Sequence, residues 1–341
     1  MTRAQILGAS VVMLASTACA VFAQPILVQR TLPDLDRWNY PFNASPGFRA
    51  TASTFRAPAG DPDFDDRDAQ FLLGFDTAVE VPQGLAPSRY SITSVTVTVT
   101  TITGGVFEYD PTTDSFETYL DPADPLFVAD ADSGRPIELF GVGFRNGFTV
   151  DTYLETSAFQ QAPFGFWLGT RNAFATDFDA RMPRDVSRNV EQLFTPTPFA
   201  VGQTSAVSAG AFVPADTQFS FTLDLSNPNV LAYLRAALVA GKVRLMVTSM
   251  QPAATMGQGA QTFPDYYTRE NTFSAAFGFG ATFDMTVEIV SGSDLNGDGV
   301  VDGSDIGFLL NQFGGPGTAD LNSDGVVNGA DMAIVLNDFG Q

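Results

Sequence analysis

Residues 92–102, Ile-Thr-Ser-Val-Thr-Val-Thr-Val-Thr-Thr-Ile, alternate branched apolar side chains with hydroxylated ones. A period of two is that of a β-strand, so one face of this segment packs inward while the other meets water. The same texture recurs on both sides of it, and residues 48–55, 70–75, 219–225, 243–249 and 281–289 also read as strands. One stretch reads instead as a helix. Asn227 is its N-cap and Pro228 its first residue, Val230, Leu231, Leu234, Ala237 and Leu238 follow at helical spacing, and Gly241 stops it. Short strands separated by Pro, Gly, Asp and Asn turns predict a mainly β fold over residues 24–290, a β-sandwich or jelly roll with one short helix.

Three acidic stretches, 57–69, 109–137 and 176–194, read as long loops. The first carries Asp61, Asp63, Asp65, Asp66 and Asp68, an oxygen density that suits a Ca²⁺ chelator as well as a solvated turn.

Composition narrows the chemistry. Among 341 residues there is no histidine and one cysteine, Cys19. Ser/His/Asp and Cys/His nucleophile systems and His- or Cys-ligated zinc are therefore excluded. Charged residues make up 16% and aromatics 12%, with 31 Phe, which is the composition of a chain that buries a core. A net charge of −21 argues against nucleic acid and anionic membranes as partners and for cations.

At the N-terminus Arg3, an apolar run over residues 6–15 and Val21-Phe22-Ala23 before Gln24 form the three parts of a secretory signal peptide, residues 1–23. The run is too short for a transmembrane span. A lipoprotein anchored through Cys19 is the minor alternative.

The last segment, 291–341, contains a duplication. DLNGDGVVDGSDIGFLLNQFG (294–314) and DLNSDGVVNGADMAIVLNDFG (320–340) are identical at thirteen of twenty-one positions, at an offset of 26. Each copy opens with a twelve-residue calcium-loop pattern. The first places Asp294, Asn296, Asp298, the Val300 carbonyl, Asp302 and Asp305 at positions 1, 3, 5, 7, 9 and 12. The second places Asp320, Asn322, Asp324, Val326, Asn328 and Asp331 there. Alternate oxygens turn inward around a hard cation, a glycine at position 6 permits the sharp turn, and the last carboxylate closes the shell from the first turn of a helix. Two Ca²⁺ ions are expected. Ile306, Leu309, Leu310 and Phe313, and then Met332, Val335, Leu336 and Phe339, give each helix an apolar face, and these two faces are expected to pack together. Removing Arg3 with the signal peptide leaves −22, of which eight Asp with no basic residue put −8 on this segment.

Loop–helix units in tandem resemble type I dockerins, and more closely their short GC-type relatives on secreted bacterial proteins. The resemblance implies a small α domain of two antiparallel helices with two structural Ca²⁺ ions. It also implies attachment to a cohesin-like receptor in polysaccharide-degrading assemblies. Cellulosomal dockerins are read largely through hydroxyl residues at loop positions 10 and 11, with basic residues further along the helix. Here those positions are Gly303-Ser304 and Gly329-Ala330, and residues 294–341 lack Lys and Arg, so calcium binding is what the motif carries and the receptor stays open. Further back, the order of 70–76, 92–97, 221–225, the helix and 243–247 resembles jelly-roll modules of secreted bacterial proteins, some of which look like carbohydrate-binding domains.

Two functions compete for the body. One is a non-catalytic module that binds polysaccharide or packs into a surface assembly. The other is a glycoside hydrolase using two carboxylates, chemistry that needs neither His nor Cys. The eight body glutamates (80, 108, 117, 138, 155, 191, 270 and 288) form no signature, and no catalytic residue is assigned. Trp38 with Tyr40, Trp167 with Phe164 and Phe166, and Tyr266 with Tyr267 either stack on sugars or fill the core.

Overall fold

The computed structural model describes residues 25–43, 45–57, 64–157, 159–162, 165–253, 260–298, 300–322 and 324–340. They fall into two compact units, Pro25–Ile289 and one beginning at Val290. The signal-peptide segment, Asp61, Asp63 and Phe164 lie outside the described residues, as do the side chains of Phe166 and Trp167.

The body is mainly β and antiparallel. One sheet has the order β1 (Ile26–Arg30), β15 (Thr282–Ile289), β5 (Tyr90–Thr100), β12 (Gln218–Thr222). The other runs β10 (Met182–Asp185), β9 (Ala173–Asp179), β6 (Ile137–Phe144), β13 (Lys242–Ser249), β4 (Gln70–Asp76), β2 (Leu35–Asn39), with β11 (Ala200–Val201) added to β6. Two small pairs complete it, β3 (Thr51–Ser53) with β14 (Asp265–Tyr267), and β7 (Gln160–Ala162) with β8 (Gly165–Thr170).

The alternation of residues 92–102 is realised on β5. Val95, Val97 and Val99 are buried, Thr93 is exposed, and Thr96 and Thr98 are half-buried. These valines share a core with Phe71, Leu73 and Phe75 of β4 and Leu245 and Val247 of β13, so the two sheets face each other as a sandwich. Phe75 and Phe283 stack across it at 4.8 Å.

The larger sheet is also covered on its outer face. Leu72, Phe140 and Met246 form a second cluster there with Leu35, Tyr153 and Val186. Strands buried on both faces lose the alternating pattern, which is why β4 and β13 read as continuous apolar runs. Helix α1 (Pro228–Ala240) starts as expected, the Asn227 side chain accepting from Asn229 N, and ends at Gly241 in the left-handed conformation. Its residues Val230, Leu234 and Leu238 enter the inter-sheet core.

The structure corrects several expectations. The strand over 48–55 contracts to β3, and a second body helix, α2 (Thr272–Phe277), joins α1. At six residues α2 is too short to show a helical period. The acidic stretch 176–194 is no long loop: β9 and β10 form a hairpin turning at Ala180 and Arg181, both at positive φ. Its charges mislead because Arg184 lies directly across from Asp177 and pairs with it at 2.6 Å, which lets a buried strand carry an aspartate. Tyr266 and Tyr267 are buried, and the half-buried Trp38 donates its indole N–H to Ser53 O at 2.8 Å, so these aromatics serve the core.

Candidate calcium centre

Each C-terminal loop leads into a helix, α3 (Gly303–Leu310) and α4 (Gly329–Asn337). The position-9 and position-12 residues build the helix start. Asp302 and Asn328 are N-caps, and Asp305 and Asp331 are the reciprocating third residues of two capping boxes. Local sequence thus fixes the last carboxylate before any ion is considered.

Asp305 is fully buried. Its Oδ1 accepts from Leu295 N (2.7 Å) and Asn296 N (3.1 Å), and its Oδ2 from Asp302 N (2.8 Å). Asp331, equally buried, repeats this with Leu321 N (2.8 Å), Asn322 N (3.1 Å) and Asn328 N (2.8 Å). Burial alone would raise the Asp331 carboxyl, and these N–H donors more than reverse it, holding it below the ordinary carboxylate range.

The remaining predicted ligands line the same loops. Asp294 Oδ1 accepts from Gly297 N (2.8 Å) and Asp298 N (3.2 Å), and Asp320 accepts from Asp324 N (3.1 Å) and Gly325 N (2.8 Å). Asn296 and Asn322 bond Asp298 and Asp324 through their amides at 2.8 and 2.9 Å. Val300 and Val326 are exposed at position 7. Gly299 lies outside the described residues, while Gly325 has φ +94°, the left-handed turn the loop requires. The donors are all hard oxygens and the segment has no cationic side chain, a set that fits Ca²⁺.

Two features escaped the sequence reading. Gly314, after α3, donates to Val327 O at 2.8 Å, and Gly340, after α4, donates to Val301 O at 2.8 Å, so each helix end is braced on position 8 of the other loop. The signal was present in the identical Val and Gly of the two copies. The packing of the helices is also narrower than expected. Leu309 and Val335 are buried with Val301, Ala319 and Val327, but Leu310, Phe313, Leu336 and Phe339 are half exposed. A helix of eight or nine residues presents only about two turns, too few to bury a four-residue stripe.

In the body, the described aspartates of 57–69 are held by protein groups. Asp65 pairs with Arg171 and with Arg188 (2.7 Å), Asp68 with Arg171 (3.1 Å), and Asp66 accepts from Val190 N and Glu191 N. Among the described residues two groups of three carboxylates converge, Asp36/Glu155/Glu270 and Asp110/Asp114/Asp132. The second is laced by Arg135 and Tyr119 on Asp114 (2.8 and 2.7 Å) and by the Thr112 hydroxyl on Asp110 and Asp132. Glu138, the most buried glutamate, is locked by Arg67.

Residues 292–340 match the family model of the dockerin type I domain. No curated protein matches the chain. Dockerin type I domains bind calcium and tether their bearers to cohesin-bearing assemblies, and the match supports a calcium-binding module over residues 292–340. Among the described residues no helix is long and apolar enough to cross a membrane.

Proposed function

We propose that this is a secreted protein whose dockerin segment binds two Ca²⁺ ions and tethers a non-catalytic β-sandwich to an extracellular assembly. The observation that carries the reading is the duplicated seat of Asp305 and Asp331, three backbone N–H groups on each at matching distances. Asp294, Asn296, Asp298, Val300 and Asp302 complete one set of ligands, and Asp320, Asn322, Asp324, Val326 and Asn328 the other. Calcium there cancels carboxylate repulsion that the segment's own residues leave unanswered. Half-exposed Leu310, Phe313, Leu336 and Phe339 offer a cohesin-like receptor apolar area without basic residues.

For the body, a surface groove of about 880 Å³ supports polysaccharide binding. Thr98, Gln203, Thr204, Asp216 and Ser220 line it with hydroxyl, amide and carboxylate groups, and Phe279 adds an aromatic wall. Among the described residues that line it the one carboxylate is Asp216, which accepts from the Tyr267 hydroxyl at 2.7 Å, and no second carboxylate opposes it as glycoside hydrolysis would use. Secretion rests on the sequence of residues 1–23.

Pull-down of the mature protein on a panel of insoluble polysaccharides, with and without EGTA, tests the body and the tether separately. Retention on a glycan that EGTA leaves unchanged supports a binding body. Release of reducing sugar, abolished by a single Glu→Gln change, overturns the non-catalytic assignment.

A further inference from the structure

The first carboxylate group of the body carries two buried oxygens without a hydrogen-bond partner, where its laced neighbour carries one, Asp110 Oδ2. Asp36 sits on β2, Glu155 in the connection after β6, and Glu270 just after β14. One carboxylate oxygen of each lies within 4.8 Å of one from each of the others. Asp36 is only 1% exposed, and its Oδ1 has no hydrogen-bond partner; Glu270 Oε2, also buried, has none.

Three of the other four oxygens are engaged. Asp36 Oδ2 accepts from Arg269 N at 2.6 Å, Glu155 Oε1 accepts from Asp36 N at 2.9 Å and from the Arg269 guanidinium, and Glu270 Oε1 pairs with Arg269 Nε at 3.3 Å. Arg269 and Arg37, which donates to Glu155 O at 2.9 Å, supply two positive charges against three carboxylates. Buried polar atoms without partners are strongly disfavoured, and two of them in one carboxylate cluster call for a cation.

We propose that Asp36, Glu155 and Glu270 hold a third divalent cation of the calcium class, in the β body. Two oxygens on one Ca²⁺ at roughly 2.4 Å each are at most about 4.8 Å apart, and one oxygen from each of the three carboxylates lies within that limit of the others. The donors are all oxygen, which selects Ca²⁺ over zinc-class metals. The ion takes the two unpartnered oxygens of Asp36 and Glu270 together with one oxygen of Glu155, and leaves Arg269 on the engaged ones. The competing occupant is a proton shared between Asp36 and Glu270, since burial and the Glu270 charge push Asp36 up to about 8.

Bound Ca²⁺ per chain, measured by equilibrium dialysis of the mature protein and of Glu270→Gln and Asp36→Asn, decides the matter. The expected result is one ion fewer in each variant, with far-UV circular dichroism unchanged in the partly exposed Glu270→Gln. A chain with Asp305→Asn and Asp331→Asn, which disables both loops, is expected to keep one ion. Equal occupancy in parent and variants, or none in the loop-disabled chain, overturns the site and leaves the shared proton in its place.

Discussion

Asp305 and Asp331 each answer three backbone N–H groups, so replacing either by Ala strands those donors as well as removing a ligand. Each substitution is expected to abolish calcium uptake by its own loop and to cost the segment about 2–3 kcal/mol, read by calorimetric calcium titration and by chemical denaturation at saturating calcium. Asp110 gives a pH prediction in the body. Burial pushes it up to about 6, above an unfolded value near ~3.9, so the folded state holds its proton more tightly. Its contribution is therefore present at low pH and lost as pH rises from about 4 to about 6, by at most about 3 kcal/mol. Denaturation of the parent and of Asp110→Asn across that window measures it; a parent slope no steeper than the variant's contradicts the assignment. The loop ligands were legible in the sequence because position and chemistry coincide at every second residue. The Asp36 cluster was not, because its members are 119 and 115 residues apart along the chain and only the folded backbone brings them together.

Helix α1 was legible at both ends because caps are local chemistry. Asn227→Ala is expected to cost about 1 kcal/mol. Gly241→Ala should cost more than the ~1 kcal/mol of an ordinary Gly exchange, since its φ is +70° and an added Cβ would meet Gln83 Oε1 at 2.6 Å and Ala78 Cβ at 2.9 Å. Urea midpoints of the two variants check the order, which reverses if the turn relaxes freely. Strand β5 was legible because one of its faces is wet. Strand β6 was not: Gly141 and Gly143 interrupt it, Glu138 sits inside it against Arg67, and both its faces are covered, so neither alternation nor apolarity announces it. Hairpin β9–β10 stayed hidden for a related reason, its charges being matched across strands rather than along the chain.

Pro25–Ile289 is a compact unit, and among the described residues its sandwich is closed without a strand from beyond Ile289. Deleting residues 292–341 is expected to leave a folded body with an unchanged thermal midpoint, while EGTA should unfold helical signal only in the full-length chain. A truncated chain that fails to fold would make the dockerin segment part of the core and end the tether model. The larger sheet, sealed on both faces, has a further consequence. In deuterated buffer the amides of β13, flanked by β4 and β6, have no route to solvent short of opening the entire body, whereas β5, wet on one side, is reached through smaller openings. The slowest-labelling peptide after proteolysis should therefore come from residues 242–249, and its exchange rate reports the global stability of the sandwich directly.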